Sequence, residues 1–137
     1  MKMQGVFEGG QNQAFGDWGE EAACQYLRQK GFKILDTKFR TKIGELDVIA
    51  RDDTRANRPE LIFVEVKTRQ SWDAVAASEL LSKAKQKHLW QSSQIYLQKK
   101  KWAGDYRYAL LAILQKENEL AYDFMDRLEL ILPKSCY

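Results

Sequence analysis

Acidic side chains interrupt two otherwise apolar patterns in this sequence. Residues 14–30 have the spacing of an amphipathic helix, and Glu20 falls within its arc of small and apolar side chains. Asp47 lies between apolar neighbours in residues 45–51, which have the composition of a strand. An ionised carboxylate in a dry interface is costly unless a partner neutralises it. Both residues are therefore candidates for chemistry, although an exposed helix start or a nearby base would also account for Glu20.

Two further segments carry charges on apolar faces. In residues 61–68, the two-residue period of a strand places Glu65 and Lys67 on the same face. Lys85 points into the apolar arc of a second helical segment, which begins at Ser78. Structural ion pairs also produce such placements, so each pair taken alone fits a structural role equally well.

Four segments that each direct a charge inward indicate a shared site. Three carboxylates in one pocket repel one another unless a cation joins them. The chain has one histidine and two distant cysteines, so its donors are carboxylate oxygens, which favour Mg²⁺ or Mn²⁺ over zinc. A lysine beside such a site can orient a water molecule, hold a phosphate or stabilise developing negative charge. This is the chemistry of phosphodiester hydrolysis.

The elements that must position these side chains follow an α/β order. Residues 1–12 lack periodicity and predict a flexible tail, and residues 13–137 predict a single domain. Helices are predicted at 14–30 and 78–100, and strands at 32–35, 45–51, 61–68 and 106–114. Residues 120–132 suit a strand or a short helix. This order predicts a mixed β-sheet flanked by helices, with 61–68 as a central strand.

The second helical segment has an apolar arc that includes the only histidine. The arc consists of Leu81, Ala84, His88, Ser92 and Ile95, with Leu89 and Tyr96 at its edge. On such a face we expect His88 to be packed and hydrogen-bonded rather than catalytic. Lys83, Lys87 and Trp90 lie on the opposite side, where they would follow a phosphate backbone or form an ordinary solvated face.

Composition narrows the class of protein. The chain is 45% hydrophobic and 30% charged, as globular proteins are. No apolar run approaches the roughly 20 residues of a membrane span, and the start lacks the apolar core of a signal peptide. We therefore expect a cytoplasmic protein without a membrane partner. The net charge of +3 is compatible with a polyanionic partner but does not establish one.

An ordered set of motifs resembles one known family. In chain order the motifs are Gly19-Glu20-x-x-Ala23-x-x-Tyr26-Leu27, Gly31-Phe32-x-Ile34-Leu35, Gly44-Glu45-Leu46-Asp47, Phe63-Val64-Glu65-Val66-Lys67-Thr68-Arg69 and Lys85-Gln86. Together they resemble the YraN-like family of small bacterial proteins, and Asp47 followed by Glu65-x-Lys67 resembles the signature of the PD-(D/E)XK nuclease superfamily. The resemblance covers residues 13–114 and implies a restriction-endonuclease-like three-layer core, similar to archaeal Holliday-junction resolvases.

The resemblance also implies roles for the same side chains. Asp47, Glu65 and Glu20 would be ligands of Mg²⁺ or Mn²⁺. Lys67 would activate or position the attacking water, and Lys85 would approach the scissile phosphate or the acidic cluster. Lys85 would thus join Lys83 and Lys87 as a candidate contact to nucleic acid.

The implied function is a metal-dependent nuclease that acts on DNA, with branched or structured DNA as the expected substrate. The family often carries an aspartate in its fourth strand, where this chain has Ala109. A non-catalytic nucleic-acid-binding or adaptor module that retains the nuclease fold is therefore the alternative. Cutting both strands of a junction would require two sites, so a homodimer is expected for that substrate.

Overall fold

The computed structural model describes residues 11–54, 58–69 and 81–132, which form two helices and five strands. The helices are α1 (Gln11–Gln29) and α2 (Lys83–Lys99). The strands are β1 (Lys33–Arg40), β2 (Glu45–Asp52), β3 (Glu60–Arg69), β4 (Asp105–Lys116) and β5 (Glu119–Leu128). Within these ranges, neither helix is long and apolar enough to cross a bilayer.

The strands form one mixed sheet in the order β1-β2-β3-β4-β5. The pairs β1–β2, β2–β3 and β4–β5 are antiparallel. Strands β3 and β4 are parallel, and the long connection that a parallel pair requires contains α2. The near-continuous apolar strand β3 therefore lies at the centre of the sheet, as its composition predicts.

Each face of the sheet is covered by one helix, which gives three layers. The face beneath α1 is formed by Val48, Ile62, Val64, Ala109, Leu111 and Ile113. The face beneath α2 is formed by Ile49, Leu61, Phe63, Tyr108 and Leu110. Alternate residues of β3 and β4 thus enter opposite cores, as the period of a strand requires. The predicted α/β fold, a mixed sheet flanked by helices, is confirmed.

Helix α1 ends in a glycine-dependent cap. Gly31 has a φ of 94°, its N–H donates to the Arg28 carbonyl, and the N–H of Phe32 donates to the Leu27 carbonyl. This is the Schellman arrangement, which a residue with a Cβ adopts only with strain. The helix begins at Gln11, earlier than the predicted residue 14, and residues 1–10 of the predicted tail lie outside the described chain.

Helix α2 begins later than the sequence predicts. Its N-cap is Ser82, whose side-chain oxygen accepts a hydrogen bond from the main-chain N–H of Lys85. Leu81 precedes the helix, so the predicted helical start at residue 78 is wrong. Ser78 itself lies outside the described residues.

The buried face of α2 also differs from the predicted arc. The side chains that it buries are Leu89, Ser92, Ser93, Tyr96 and Leu97. Ala84 and Ile95, which belong to the predicted arc, are exposed. Ser93 is fully buried because its hydroxyl pairs with the Tyr108 hydroxyl at 2.6 Å.

The outer strands complete the sheet. Strand β1 is longer than the predicted 32–35 because it pairs with β2 along its length, with a register shift between Ile34 and Asp36. Residues 119–128 form a strand, which resolves the open choice for the C-terminal segment. Glu117 and Asn118 both have positive φ, so they form a two-residue hairpin turn before β5.

A buried ion network ties β2, β3, β4 and β5 together at one end of the sheet. Arg107 Nη1 lies 3.1 Å from Asp52 Oδ2 and also contacts Glu60. Arg107 Nε donates to Asp126 Oδ1 at 2.8 Å. The side chains of Arg107, Asp52 and Glu60 are each 7% exposed. One guanidinium therefore pairs with two buried carboxylates and a third at the surface, and Arg127 Nη2 supplies a second positive charge 3.3 Å from Glu60 Oε1.

Replacing this arginine should destabilise the protein strongly. Arg107→Met leaves the buried Asp52 without its cation and leaves Glu60 with only the exposed Arg127, so we expect the free energy of unfolding to fall by about 3–5 kcal/mol. Urea denaturation at pH 7 measures this loss. The matched control is Arg51→Met, because the pair of Arg51 with Asp53 is more exposed and should contribute less than about 1 kcal/mol. Equal losses in the two variants would contradict the network's role.

Candidate functional site

Strands β2 and β3 separate where the acidic residues lie. Their pairing runs from Asp52 opposite Glu60 to Val48 opposite Val64. Beyond that point Asp47 Oδ2 accepts a hydrogen bond from the main-chain N–H of Val66 at 2.8 Å, so a side chain replaces the main-chain acceptor. The gap between the two strands gives the carboxylates space that a regular ladder would close.

A cleft of about 190 Å³ opens at this gap. Its lining consists of Gly44, Glu45, Asp47, Glu65, Lys85, His88 and Leu89. Three of the residues singled out in the sequence, Asp47, Glu65 and Lys85, therefore face one cavity. His88 lines it as well and is exposed. The prediction that His88 is a packed core residue is wrong, because the face of α2 that packs on the sheet is centred on Leu89 and Tyr96.

Three carboxylates converge beside this cleft. One oxygen from each of Glu20, Glu45 and Asp47 lies within 4.8 Å of the other two. Glu20 reaches the cluster from α1, and the other two occupy alternate positions of β2. Sequence reasoning gave Glu45 no role. The signal that would have found it is its two-residue spacing from Asp47, which places two strand residues on one side.

Glu20 provides an oxygen without a hydrogen-bond donor. Its Oε1 atom is buried and has no hydrogen-bond partner among the described residues, and Lys38 Nζ is 3.9 Å away. Burial raises the pKa of Glu20 to about 7, an effect that Lys38 opposes and that the negative charge of Glu45 reinforces. A carboxylate in this environment is stabilised by either a proton or a metal ion.

Asp47 is perturbed more strongly. Burial and the negative charge of Glu65 raise the pKa of Asp47 to about 8, although the hydrogen bond from Val66 opposes the shift. Without a cation, Asp47 therefore holds a proton at neutral pH. Such a shift, produced by burial and a like charge in a cleft, is typical of functional sites.

Glu65 is held by two lysines. Its Oε1 atom lies 3.3 Å from Lys67 Nζ and 3.2 Å from Lys85 Nζ. Lys67 is only 15% exposed, whereas Lys85 is 50% exposed. Burial lowers the pKa of Lys67, and its hydrogen bond with Lys85 lowers it further, while the charge of Glu65 opposes the change. The structure thus joins Glu65, Lys67 and Lys85, beside the carboxylate cluster.

The remaining predicted residues lie around this centre. Lys83 is exposed and Lys87 is half-buried in the first turns of α2, and neither lines the cleft. Ala109 is fully buried beneath α1, opposite Val64 in the neighbouring strand. Alanine at position 109 therefore removes no acidic group from the cleft lining.

Helix α1 approaches β3 closely beside Glu20. A Cβ atom added to Gly19 would lie 2.2 Å from the Cγ2 methyl of Thr68. Because Glu20 is the next residue, this close contact fixes how far its carboxylate reaches toward β2. At this point of α1 the Thr68 side chain leaves no room for a residue larger than glycine.

Comparison with known proteins identifies a family. The model of the Uncharacterised protein family UPF0102 matches residues 19–117. A UPF0102 protein of Syntrophotalea carbinolica is 44% identical over 87 residues, which cover 64% of this chain and 67% of the relative. UPF0102 proteins of Acaryochloris marina and Syntrophomonas wolfei are 40% and 42% identical over 94 and 86 residues. These matches cover 64% and 63% of this chain and 54% and 70% of those relatives.

A larger residue at position 19 should destabilise the protein, and a smaller residue at position 68 should relieve this loss. Gly19→Ala forces its new methyl against Thr68, so we expect a loss of about 1–3 kcal/mol in the free energy of unfolding. Thr68→Ser removes the Cγ2 methyl and should recover most of this loss in the double variant. Urea denaturation of the two single variants and the double variant measures the coupling. Purely additive losses would show that the two residues do not constrain each other.

The raised pKa of Asp47 makes stability depend on pH. The folded state binds a proton up to about pH 8, whereas the unfolded chain releases it near pH 3.8. Between these values stability falls as pH rises, because the folded state binds more protons. Asp47→Asn removes this dependence and keeps an oxygen acceptor for Val66. In EDTA, we expect the variant to exceed the wild type at pH 8 by at least about 1 kcal/mol and to match it near pH 4.

Thermal denaturation from pH 4 to pH 8 measures this difference. The control is Asp53→Asn, which replaces a carboxylate whose side chain is 50% exposed. It removes a partner of Arg51, so it should not exceed the wild type in stability at pH 8. An Asp47→Asn protein that is less stable than the wild type at pH 8 would contradict the assigned shift.

Proposed function

We propose, from the premise that the chain belongs to the UPF0102 family, that it is a metal-dependent nuclease of the PD-(D/E)XK superfamily. Its substrate is DNA, structured or branched DNA in particular. The observation that carries this proposal is the convergence of Glu20, Glu45 and Asp47 beside an open cleft lined by Glu65 and Lys85, with Lys67 paired to the same Glu65 carboxylate. The description of the family names no activity, so the proposal rests on the site.

The donor set suits a hard divalent ion. All three converging ligands are carboxylate oxygens, which Mg²⁺ and Mn²⁺ prefer. The buried Glu20 Oε1, without a hydrogen-bond partner in the described chain, supports the fit because a bound cation would satisfy it. Glu20, Glu45 and Asp47 would hold the ion. When bound, such an ion polarises a phosphate oxygen and stabilises the negative charge that develops during hydrolysis.

The lysines supply the remaining functions. Lys67 Nζ is largely buried and has a lowered pKa. A neutral amine there can accept a proton from the attacking water, and a charged one can hold the phosphate. Glu65 Oε1 holds both amines, Lys67 from β3 and Lys85 from α2, and Lys85 lines the cleft. Glu65 therefore orients the cationic half of the site.

Nucleic-acid affinity would come from surface cations. Lys85 lines the cleft, and the exposed Lys83 lies two residues earlier on α2. Contacts from lysines to phosphates release counterions, so binding should weaken steadily as salt rises. The small positive net charge of +3 is compatible with such a partner.

The proposal is tested by cleavage assays with the purified full chain. Junction, flap, duplex and single-stranded DNA are incubated with Mg²⁺, Mn²⁺ or EDTA. We expect metal-dependent cleavage that falls at least about 100-fold in Asp47→Asn and in Lys67→Met, because each change removes a group that acts on the reacting atoms. The control Asp53→Asn should cleave as the wild type does.

Three results would contradict the assignment. Cleavage that Asp47→Asn leaves undiminished would indicate a contaminating nuclease. Absence of cleavage on every substrate, with a folded protein, would exclude catalysis under these conditions. Loss of activity in Asp53→Asn would show that the effect of charge removal is general rather than local.

A second function, binding nucleic acid without cleaving it, is favoured by one observation. The two lysines already neutralise Glu65, so this carboxylate needs no metal ion. Calorimetry separates the two functions. No uptake of Mg²⁺ or Mn²⁺, together with salt-dependent DNA binding, would favour the binding module, whereas uptake that Asp47→Asn abolishes would favour the nuclease.

A further inference from the structure

The loop between β1 and β2 carries an exposed apolar residue that adjoins the cleft lining in sequence. Residues 41–44 form this loop, and Gly44 and Glu45, at its end, line the cleft. Lys42 and Ile43 are both exposed, and Ile43 is 38% exposed. A single exposed isoleucine is common on protein surfaces and does not by itself indicate a function. Ile43, however, lies in the sequence between Lys42 and Gly44, which lines the cleft.

The loop is held rigidly. Thr41 Oγ1 accepts hydrogen bonds from the main-chain N–H groups of Ile43 and Gly44 at 3.1 and 3.0 Å. The main-chain N–H of Thr41 donates to the Gly44 carbonyl at 2.8 Å. The same hydroxyl lies 3.1 Å from Ser92 Oγ, which is buried on α2. The exposed position of Ile43 is therefore fixed against the helix that forms the other wall of the cleft.

The distance of Ile43 from Glu45 determines which part of a bound duplex Ile43 would contact. Ile43 lies two residues before Glu45, so their Cα atoms are at most about 8 Å apart. Successive base pairs are about 3.4 Å apart along the duplex axis. A phosphate held beside Glu45 would thus leave Ile43 within about two base steps of the reacting group. Apolar side chains at such positions enter between base pairs, partly unstack them and kink the duplex.

We propose that Ile43 is a wedge that enters a base step next to the phosphate held in the cleft, while Lys42 contacts the adjoining backbone. The identity of the substrate as duplex DNA rests on the proposed function. Unstacking is least costly where a base pair is already mismatched, bulged or next to a branch. The wedge therefore lets the protein open fully paired duplexes, and a duplex that is already weakened close to the cut depends on it less.

The other large apolar side chains exposed in the described chain are Ile95, Tyr106 and Ile131. None of them adjoins in sequence a residue that lines the cleft. Ile95 is 37% exposed on α2, which nearly equals the exposure of Ile43. It provides a control of matched residue type and exposure.

Cleavage of paired and weakened duplexes gives the first test. Ile43→Ser should cut a fully paired duplex at least 10-fold more slowly than the wild type. It should cut the same duplex with a mismatch or bulge near the cut within 2-fold of the wild-type rate. Ile95→Ser should match the wild type on both. An Ile43→Ser protein with wild-type rates on both substrates overturns the wedge.

Binding gives a second test that does not need catalysis. A set of duplexes carries 2-aminopurine at successive positions, and its fluorescence rises when a base unstacks. We expect Asp47→Asn to raise the fluorescence at one or two adjacent positions, and Asp47→Asn combined with Ile43→Ser to lose most of that rise. Adding Ile95→Ser instead should leave it unchanged.

The two tests separate failure of the wedge from failure of the nuclease. Unstacking that depends on Ile43, in a protein that cleaves nothing, would support the wedge and reject the nuclease. Metal-dependent cleavage without unstacking that depends on Ile43 would support the nuclease and overturn the wedge. Absence of DNA binding in every form would overturn both.

Discussion

Repulsion among three carboxylates is the constraint that the rest of this structure must satisfy. The oxygens of Glu20, Glu45 and Asp47 lie within 4.8 Å of one another. Two unit charges ~5 Å apart repel by about 3 kcal/mol at an effective dielectric constant of ~20. Burial adds to this repulsion and raises the pKa values of Glu20 and Asp47 to about 7 and about 8. Packing elsewhere must therefore hold together groups that would separate if free.

The two ends of β2 and β3 lie in opposite electrostatic environments. At one end, Asp52 and Glu60 are buried against Arg107, so opposite charges lock β2, β3 and β4. Within a few residues along the same two strands, the ladder stops and like charges face a gap. The ion network around Arg107 fixes the register of β2 against β3 at one end. The two strands can therefore separate at the other end without losing that register. The contact of Gly19 with Thr68 then sets α1 against β3 at the same end.

Local periodicity predicts much of this arrangement, and tertiary contacts decide the rest. The faces of β3, the inward position of Glu20 and the central place of β3 follow from spacing, because each concerns one element and one core. The buried face of α2 does not follow. The face that α2 buries depends on where the helix begins, after the N-cap Ser82, and on the burial of Ser93. That burial requires the hydroxyl of Tyr108 in β4. The spacing of Glu45 from Asp47 signals a shared side of β2, but the gap that brings both beside Glu20 is set by tertiary structure. The exposed position of His88 follows from the phase of α2.

The perturbed carboxylates also explain how the cluster can exist in the folded protein before any ion binds. With pKa values near or above neutrality, Asp47 and Glu20 retain protons that remove most of the mutual repulsion. Glu65, by contrast, is neutralised by Lys67 and Lys85 rather than by a proton. Glu45 is paired with Arg40, whose Nε lies 3.0 Å from Glu45 Oε2. The site thus balances charge with protons on Glu20 and Asp47, a guanidinium beside Glu45, and ammonium groups from β3 and α2 beside Glu65. A divalent ion would have to displace the protons but leave the ammonium groups in place, so its affinity would rise with pH. The lysines would then remain free of the metal and available to a phosphate.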